Sequence, residues 1–316
     1  MVAKVFIDGE AGTTGLQIRD RLAGRRDLEL ISIAHDKRKD QDEKKRLLNL
    51  ADVAILCLPD DAAKESVSLI ENDTTKVIDA STAHRIAPGW VYGFAEMSRD
   101  QAGLIANAKR VGNPGCWPQG AIATLRPLVE AGLVPADTPI SVNGISGYSG
   151  GGRQMIEDYV AQGEDANEFM PYGLGFKHKH LPEMKAYAGL GSEPLFQPAV
   201  GNFAQGMITV VPLHTHLLPG QPGGAVLHAA IADYYAGMKG SFLDVAPYAE
   251  AERAPDLNPE IYNNTNRMRL HVFSNDARGH AVLIAVYDNL GKGASGAAVQ
   301  NLNLMLGVDP ATSLAA

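Results

Sequence analysis

The sequence predicts an α/β chain in two parts: a parallel sheet with crossover helices, then an α+β part with a largely antiparallel sheet. Three observations carry that prediction. Over the first 80 or so residues, short apolar strands alternate with helical segments, the pattern of a parallel sheet covered on its faces. The first strand runs straight into G-E-A-G-T-T-G at residues 9–15 and then a helix, which marks the sheet as Rossmann-type. Beyond residue 139, strand-like segments follow one another with fewer helices between them.

Taken in order, residues 2–7 read as a strand, 14–22 as an amphipathic helix and 28–34 as the second strand. Residues 44–50 read as a helix with mixed faces, 53–58 as a strand, 61–69 as a helix and 76–78 as a strand. A helix follows Pro118, covering 121–131, and Pro127 is expected to kink it or end it early. Residues 139–145, 207–213, 225–232, 268–274 and 280–288 are rich in β-branched and aliphatic side chains and read as strands. Residues 147–180 read as a long Gly-rich loop, and long irregular segments in compact enzymes are more often functional than idle. The tail is a helix with Ser295 as its N-cap, an apolar stripe at Val299, Leu302 and Leu306, and Gly307 at its end.

Composition narrows the function. The chain has 316 residues, 45% hydrophobic and 20% charged, long enough for two domains. Its net charge of −8 argues against nucleic-acid binding, which needs a basic face. An anionic small substrate remains compatible, because a cationic pocket can exist in an acidic protein. Two cysteines, Cys57 and Cys116, rule out a disulfide framework. No secretory leader or membrane-length apolar run is read, so a cytoplasmic protein is expected.

Cys116 is the residue with chemistry. It sits in V-G-N-P-G-C-W-P-Q-G at residues 111–120, where a turn delivers it to a helix N-terminus. The helix dipole and free backbone N–H groups there favour the thiolate, an activated nucleophile. Cys57, inside the apolar run 54–58, reads as core. Gly9, Gly12 and Gly15 let the first turn close and the backbone approach a pyrophosphate. The second strand ends at Asp36 and is followed by Lys37, Arg38 and Lys39, which suit the 2′-phosphate of NADP; a solvated charged loop is the competing reading.

K-H-K-H-L-P-E at residues 177–183 brings together two imidazoles, two ammonium groups and a carboxylate. His178 and His180 point the same way in an extended stretch, but no third ligand lies at metal-like spacing, so no metal is expected. A general acid–base histidine, oriented by Glu183, is the better reading, with the choice between His178 and His180 open. His214 and His216 read as surface or packing histidines. The loop 144–153, ending in Arg153, and the segment 79–85, ending in Arg85, offer amides, hydroxyls and a guanidinium to an anion; a structural turn competes for both.

These residues resemble the shorter N-acetyl-γ-glutamyl-phosphate reductases. The resemblance rests on segments 9–15, 77–85, 92–96, 112–116, 146–153, 178–183 and 293–301, in the family's order and spread over nearly the whole chain. It departs at Ala95, where the family usually has proline. The resemblance implies an NADP domain of residues 1–114 completed by the helix at 294–316, with a catalytic and dimerisation domain of residues 115–293 between. It also implies a homodimer or homotetramer, with NADPH reducing an acyl phosphate through a cysteine thioester. The residue reading and the resemblance together assign Cys116, His180 and Glu183 to catalysis. They assign Gly9, Gly12, Thr13, Thr14, Gly15, Lys37, Arg38 and Ser81 to NADP. Arg85, Asn113, Ser149, Arg153, Lys177 and His178 are assigned to substrate. The competing functions are an N-acetyl-aminoadipyl-phosphate reductase, an aspartate-semialdehyde dehydrogenase, a nicotinamide-binding thiol redox sensor and a hydrolytic Cys/His enzyme.

Overall fold

The computed structural model describes residues 2–37, 40–248 and 257–315. The chain divides into two compact units, one of residues 1–95, 100–114 and 294–314, the other of 96–99, 115–293 and 315–316. The first carries β1 (Ala3–Asp8), α1 (Thr13–Leu22), β2 (Leu28–Ile31), α2 (Gln41–Leu50), β3 (Val53–Leu56), α3 (Asp60–Ser68), β4 (Lys76–Asp79), β5 (Val91–Tyr92), α4 (Gln101–Asn107) and β6 (Arg110–Gly112). The second carries α5 (Cys116–Glu130), β7 (Ser141–Gly147), α6 (Arg153–Gln162), β8 (Phe169–Pro171), α7 (Leu181–Ala188), β9 (Leu195–Gly201), β10 (Met207–His214), α8 (Gly224–Tyr235), β11 (Leu243–Val245), β12 (Met268–Asn275) and β13 (His280–Tyr287). The last helix, α9 (Gly296–Leu306), belongs to the first unit.

The first unit's six strands run parallel in the order β2-β1-β3-β4-β6-β5. Side chains alternate faces along a strand, so β3, buried throughout, feeds two cores. Val53 and Ile55 join Ile18 and Leu22 of α1 and Val299 and Leu302 of α9 on one face. Ala54 and Leu56 join Leu47 and Leu48 of α2 and Ala63 of α3 on the other. Ser295 does not cap α9: its backbone is already helical, and a π-helical turn at Gly291–Ser295 leads in. Its hydroxyl instead donates to Gln17 Oε1 at 3.0 Å and accepts from Arg21 Nε at 3.1 Å, fastening α9 to α1.

The second unit's sheet runs β11-β12-β13-β10-β7-β9-β8. Four of its pairings are antiparallel, while β11–β12 and β7–β9 are parallel, so the sheet is mixed with an antiparallel majority. Residues 225–232, read as a strand, lie in α8. Leu227, Ile231 and Tyr235 recur every four residues and form its buried face, a helical period that the aliphatic content masked. The segment 147–180 is not one loop, because α6 and β8 form within it. The strand β9 falls in a stretch for which the sequence predicts no element.

Pro127 does not end α5, which continues to Glu130. Proline removes the N–H that would bond the carbonyl four residues back. That carbonyl, on Ala123, accepts from the Tyr235 hydroxyl at 2.9 Å instead. A side chain from α8 thereby satisfies the gap. None of the described helices is long and apolar enough to cross a membrane.

Candidate active site

Cys116 is the first residue of α5, after the N-cap Gly115, which offers no side-chain cap. The first N–H groups of a helix lack intrahelical acceptors, so this end presents positive charge to the sulfur. Two groups fix the turn. Glu183, buried in the first turn of α7, accepts the Gly115 N–H at 3.0 Å. The Tyr287 hydroxyl donates to the Cys116 carbonyl at 2.7 Å and accepts the Gly120 N–H at 3.2 Å. Those two backbone groups are an i,i+4 pair of the helix's first turn, so the Tyr287 hydroxyl braces that turn from the side. A phenol donates once, which makes Thr209, 3.0 Å away, a donor to Tyr287. Burial pushes the Tyr287 phenol far above its ordinary value, keeping it protonated.

A cavity of about 220 Å³ opens over Cys116, lined also by Ser146, Gly150, Tyr172, His178 and His180. It has the scale of a small metabolite. His180 is buried, and its backbone N–H donates to His178 Nδ1 at 3.2 Å. In the neutral ring this leaves the proton of His178 on Nε2. The two imidazoles lie 4.7 Å apart, and Phe196 packs edge-on against His178 at 5.1 Å. Trp117 Nε1 donates to the Tyr172 hydroxyl at 2.9 Å. Burial, and then the charge of a Cys116 thiolate, push that hydroxyl well above its ordinary value. Behind the nucleophile helix, Lys292 and Glu96 form a fully buried ion pair at 2.5 Å. The Lys292 carbonyl accepts from Gln119 Nε2 at 2.8 Å, and Glu96 Oε1 accepts from Phe242 N–H at 3.1 Å.

Three of the expected catalytic and substrate residues, Cys116, His178 and His180, line this cavity, and Glu183 holds the turn beside it. The remaining second-unit candidates lie differently. Ser149 is buried and accepts from Asn289 Nδ2 at 3.0 Å. The Arg153 side chain is 79% exposed and pairs with Glu157 at 2.7 Å, outside the cavity lining. Lys177 is exposed, and its neighbour Lys179 lines the cavity in its stead. Trp117, Tyr172, Tyr287, Lys292 and Glu96 were not picked out by sequence reasoning. For Glu96 a signal existed, since it ends the 92–96 segment that supported the resemblance.

In the first unit, the turn 9–15 joins β1 to α1 where the strand order reverses between β2-β1 and β3, the crevice at which open α/β sheets bind dinucleotides. Two of its glycines are required by contact. A Cβ on Gly9 (φ +87°) would stand 2.4 Å from the Cys57 carbonyl oxygen, and one on Gly15 would stand 2.4 Å from the Gly9 oxygen. Gly12 is the N-cap of α1 and supplies no side-chain cap, so Thr13, Thr14 and Gly15 lie in a helix turn open to an anion. The turn fits a dinucleotide pyrophosphate. Lys37 closes a short 3-10 turn after β2, and Arg38 lies outside the described residues. Ser81 donates to Asp79 Oδ2 at 2.7 Å, and His84 bonds the same carboxylate at 2.6 Å. Arg85 is buried and donates to the Ala80 carbonyl at 2.9 Å. Asn113 donates to the Ala294 carbonyl and accepts from Asn301, both at 3.0 Å.

Comparison with known proteins agrees with both halves of this picture. Residues 4–105 match the family described as semialdehyde dehydrogenase, NAD binding domain, and residues 116–289 match semialdehyde dehydrogenase, dimerisation domain. An N-acetyl-gamma-glutamyl-phosphate reductase from Mesorhizobium japonicum is 70% identical, covering 98% of this chain and 100% of the relative. One from Chelativorans sp. is 68% identical over 97% of this chain and 99% of the relative. Among solved structures, aspartate semialdehyde dehydrogenase II from Vibrio cholerae superposes with a TM-score of 0.71 at 14% identity, covering 97% of this chain and 99% of its own. The aspartate semialdehyde dehydrogenase with NADP from Candida albicans gives 0.62 at 15%, covering 98% of this chain and 99% of its own. The low identities make these last two a likeness of fold. With a matching architecture and near-complete relatives at 70% identity, this chain belongs to the N-acetyl-gamma-glutamyl-phosphate reductases of the semialdehyde dehydrogenase family.

Proposed function

We propose that this protein reduces N-acetyl-γ-glutamyl 5-phosphate to N-acetylglutamate 5-semialdehyde with NADPH, releasing phosphate, as a step of arginine biosynthesis. The observation that carries the reading is Cys116 at the start of α5, inside a small cavity shared with His178 and His180. The Cys116 sulfur attacks the acyl carbon, the carbon–oxygen bond to phosphate breaks, and an acyl-enzyme thioester remains. The 9–15 turn would hold NADPH, which would supply the hydride for the two-electron reduction of the acyl group. When the carbon–sulfur bond breaks, the aldehyde leaves and Cys116 returns to the thiolate. Backbone N–H groups of the first turn of α5 stabilise the oxyanions on the acyl carbon, and one such donor is worth ~3 kcal/mol in other enzymes. His180 holds and returns the proton of the reacting oxygen, and His178 orients it or binds substrate.

In this reading Gly9, Gly12, Thr13, Thr14, Gly15 and Ser81 hold the dinucleotide, while Lys37 and Arg38 meet its 2′-phosphate. Lys177 and Arg153 remain candidates for the substrate's negative groups, with Lys179 added by its place on the cavity wall. Arg85, Asn113 and Ser149 likewise remain candidates for substrate contacts. The enzyme works in the cytoplasm as a homodimer or homotetramer, in keeping with the dimerisation domain it matches. Incubation with the acyl phosphate but no NADPH should give a Cys116 acyl adduct in the mass spectrum, and Cys116→Ser should abolish turnover while binding NADPH normally. Turnover by the Ser variant, or product formation without any adduct, overturns the mechanism. An aminoadipyl substrate, longer by one methylene worth ~1–3 kcal/mol, should turn over more slowly.

A further inference from the structure

We propose that His214, His216 and His280 form a binding site for a divalent transition cation of the zinc type, separate from the catalytic cavity. His214 ends β10 and pairs in register with His280, the first residue of β13. His216 follows in the 3-10 turn Thr215–Leu217. All three side chains are exposed, and one nitrogen of each lies within 4.8 Å of the others. Their ring centroids are 5.2 to 6.0 Å apart. The spacing H-x-H was visible in the sequence, but the third imidazole comes from a distant segment that only strand pairing brings alongside.

Two features beyond proximity point to a ligand. His216 Nδ1 lies 3.1 Å from the Gly279 carbonyl oxygen, which can only accept, so Nδ1 carries the proton and Nε2 the lone pair. That backbone hydrogen bond on one nitrogen is the arrangement that orients metal-binding imidazoles. Gly279 adopts φ +65°, and a Cβ there would stand 2.7 Å from His216 Cβ and 3.0 Å from its Nδ1. The turn into β13 thereby keeps clear the space in which the His216 ring sits. Tetrahedral coordination at ~2.0–2.1 Å separates ligand nitrogens by about 3.3 Å, which torsion of exposed rings can reach while the strand ladder holds the backbone. An all-imidazole set selects zinc, copper, nickel or cobalt over magnesium or calcium. Three ligands leave a fourth position for water.

The test uses the full chain with Cys116 first alkylated, which removes the competing thiolate. Titration with Zn2+ should show one cation bound per chain and a raised melting temperature, with affinity at least ~10-fold weaker in His280→Ala. Co2+ in unalkylated protein should give a spectrum without a thiolate charge-transfer band from this site, and His280→Ala should remove it. If His280→Ala melts lower than the parent without metal, His216→Ala replaces it in the same titration. Absence of binding to the alkylated protein, or binding unchanged in both variants, overturns the proposal. Zinc affinity lost on alkylation but kept in the histidine variants assigns the cation to the catalytic cavity and overturns it equally.

Discussion

Replacing Tyr287 by phenylalanine removes the oxygen that braces the first turn of the nucleophile helix. That oxygen makes three contacts, at 2.7 Å to the Cys116 carbonyl, 3.2 Å to the Gly120 N–H and 3.0 Å to Thr209 Oγ1. Three bonds at ~1 kcal/mol each would suggest a loss of ~3 kcal/mol. The true loss should be smaller, because the Cys116 carbonyl and Gly120 N–H are an i,i+4 pair within α5 and keep each other as partners without the phenol. Only the Thr209 hydroxyl, fully buried, is left without its acceptor, at a cost of ~1–2 kcal/mol. Without that brace the turn that carries Cys116 is free to shift, and a displacement of ~1 Å costs up to ~10²-fold in rate. Urea denaturation should therefore show the smaller stability loss, while kcat falls on the order of 10-fold. Adding Thr209→Val should restore most of the stability, since both polar partners are then absent, and leave kcat low. If the double variant regains wild-type kcat, or Tyr287→Phe never loses it, the Tyr287 hydroxyl does not position the sulfur.

Two further outcomes follow from burial. Lys292→Met leaves the Glu96 carboxylate buried without its partner and should cost ~3–5 kcal/mol in urea denaturation, whereas Lys292→Met with Glu96→Leu should recover most of it; a double variant as weak as the single would refute the pairing. Burial first, and then Asp79 and Asp8, push the Cys57 thiol from 9.0 up to about 12. The folded state therefore holds that proton longer than the unfolded chain. Stability should be level with respect to this group below pH 9 and fall as pH rises towards about 12, by at most ~1.4 kcal/mol per pH unit. Cys57→Ala should flatten that decline, measured as a slope against the parent, and an unchanged slope would show the thiol to be freely titrating.

Local signals carried most of the first unit. Alternating apolar runs and the glycine turn are short-range patterns, and Val53 to Leu56 read as a strand because all four are buried between two helix layers. Cys116 was legible for the same reason: its turn and its helix are adjacent in sequence. Errors came where tertiary contact overrode local preference. Pro127 reads as a helix breaker until Tyr235 is seen at the Ala123 carbonyl. The aliphatic content of 225–232 suited a strand, although the four-residue spacing of Leu227 and Ile231 already spoke for a helix. Tyr287, Lys292 and Glu96 could not be found from spacing, since each meets its partner across more than a hundred residues. The Arg153–Glu157 pair, one helical turn apart on α6, was legible from i,i+4 spacing alone.

The place of α9 has a consequence for biosynthesis. Val299 and Leu302 lie against Val5, Ile7 and Ile18, so one side of the first sheet is completed by a segment translated nearly three hundred residues later. While the second unit is still emerging from the ribosome, that greasy sheet face stays wet and adhesive. Chaperone capture during translation should fall on this surface, and a nonsense mutation between codons 115 and 294 should yield an insoluble fragment even though every strand of the nucleotide domain has been made.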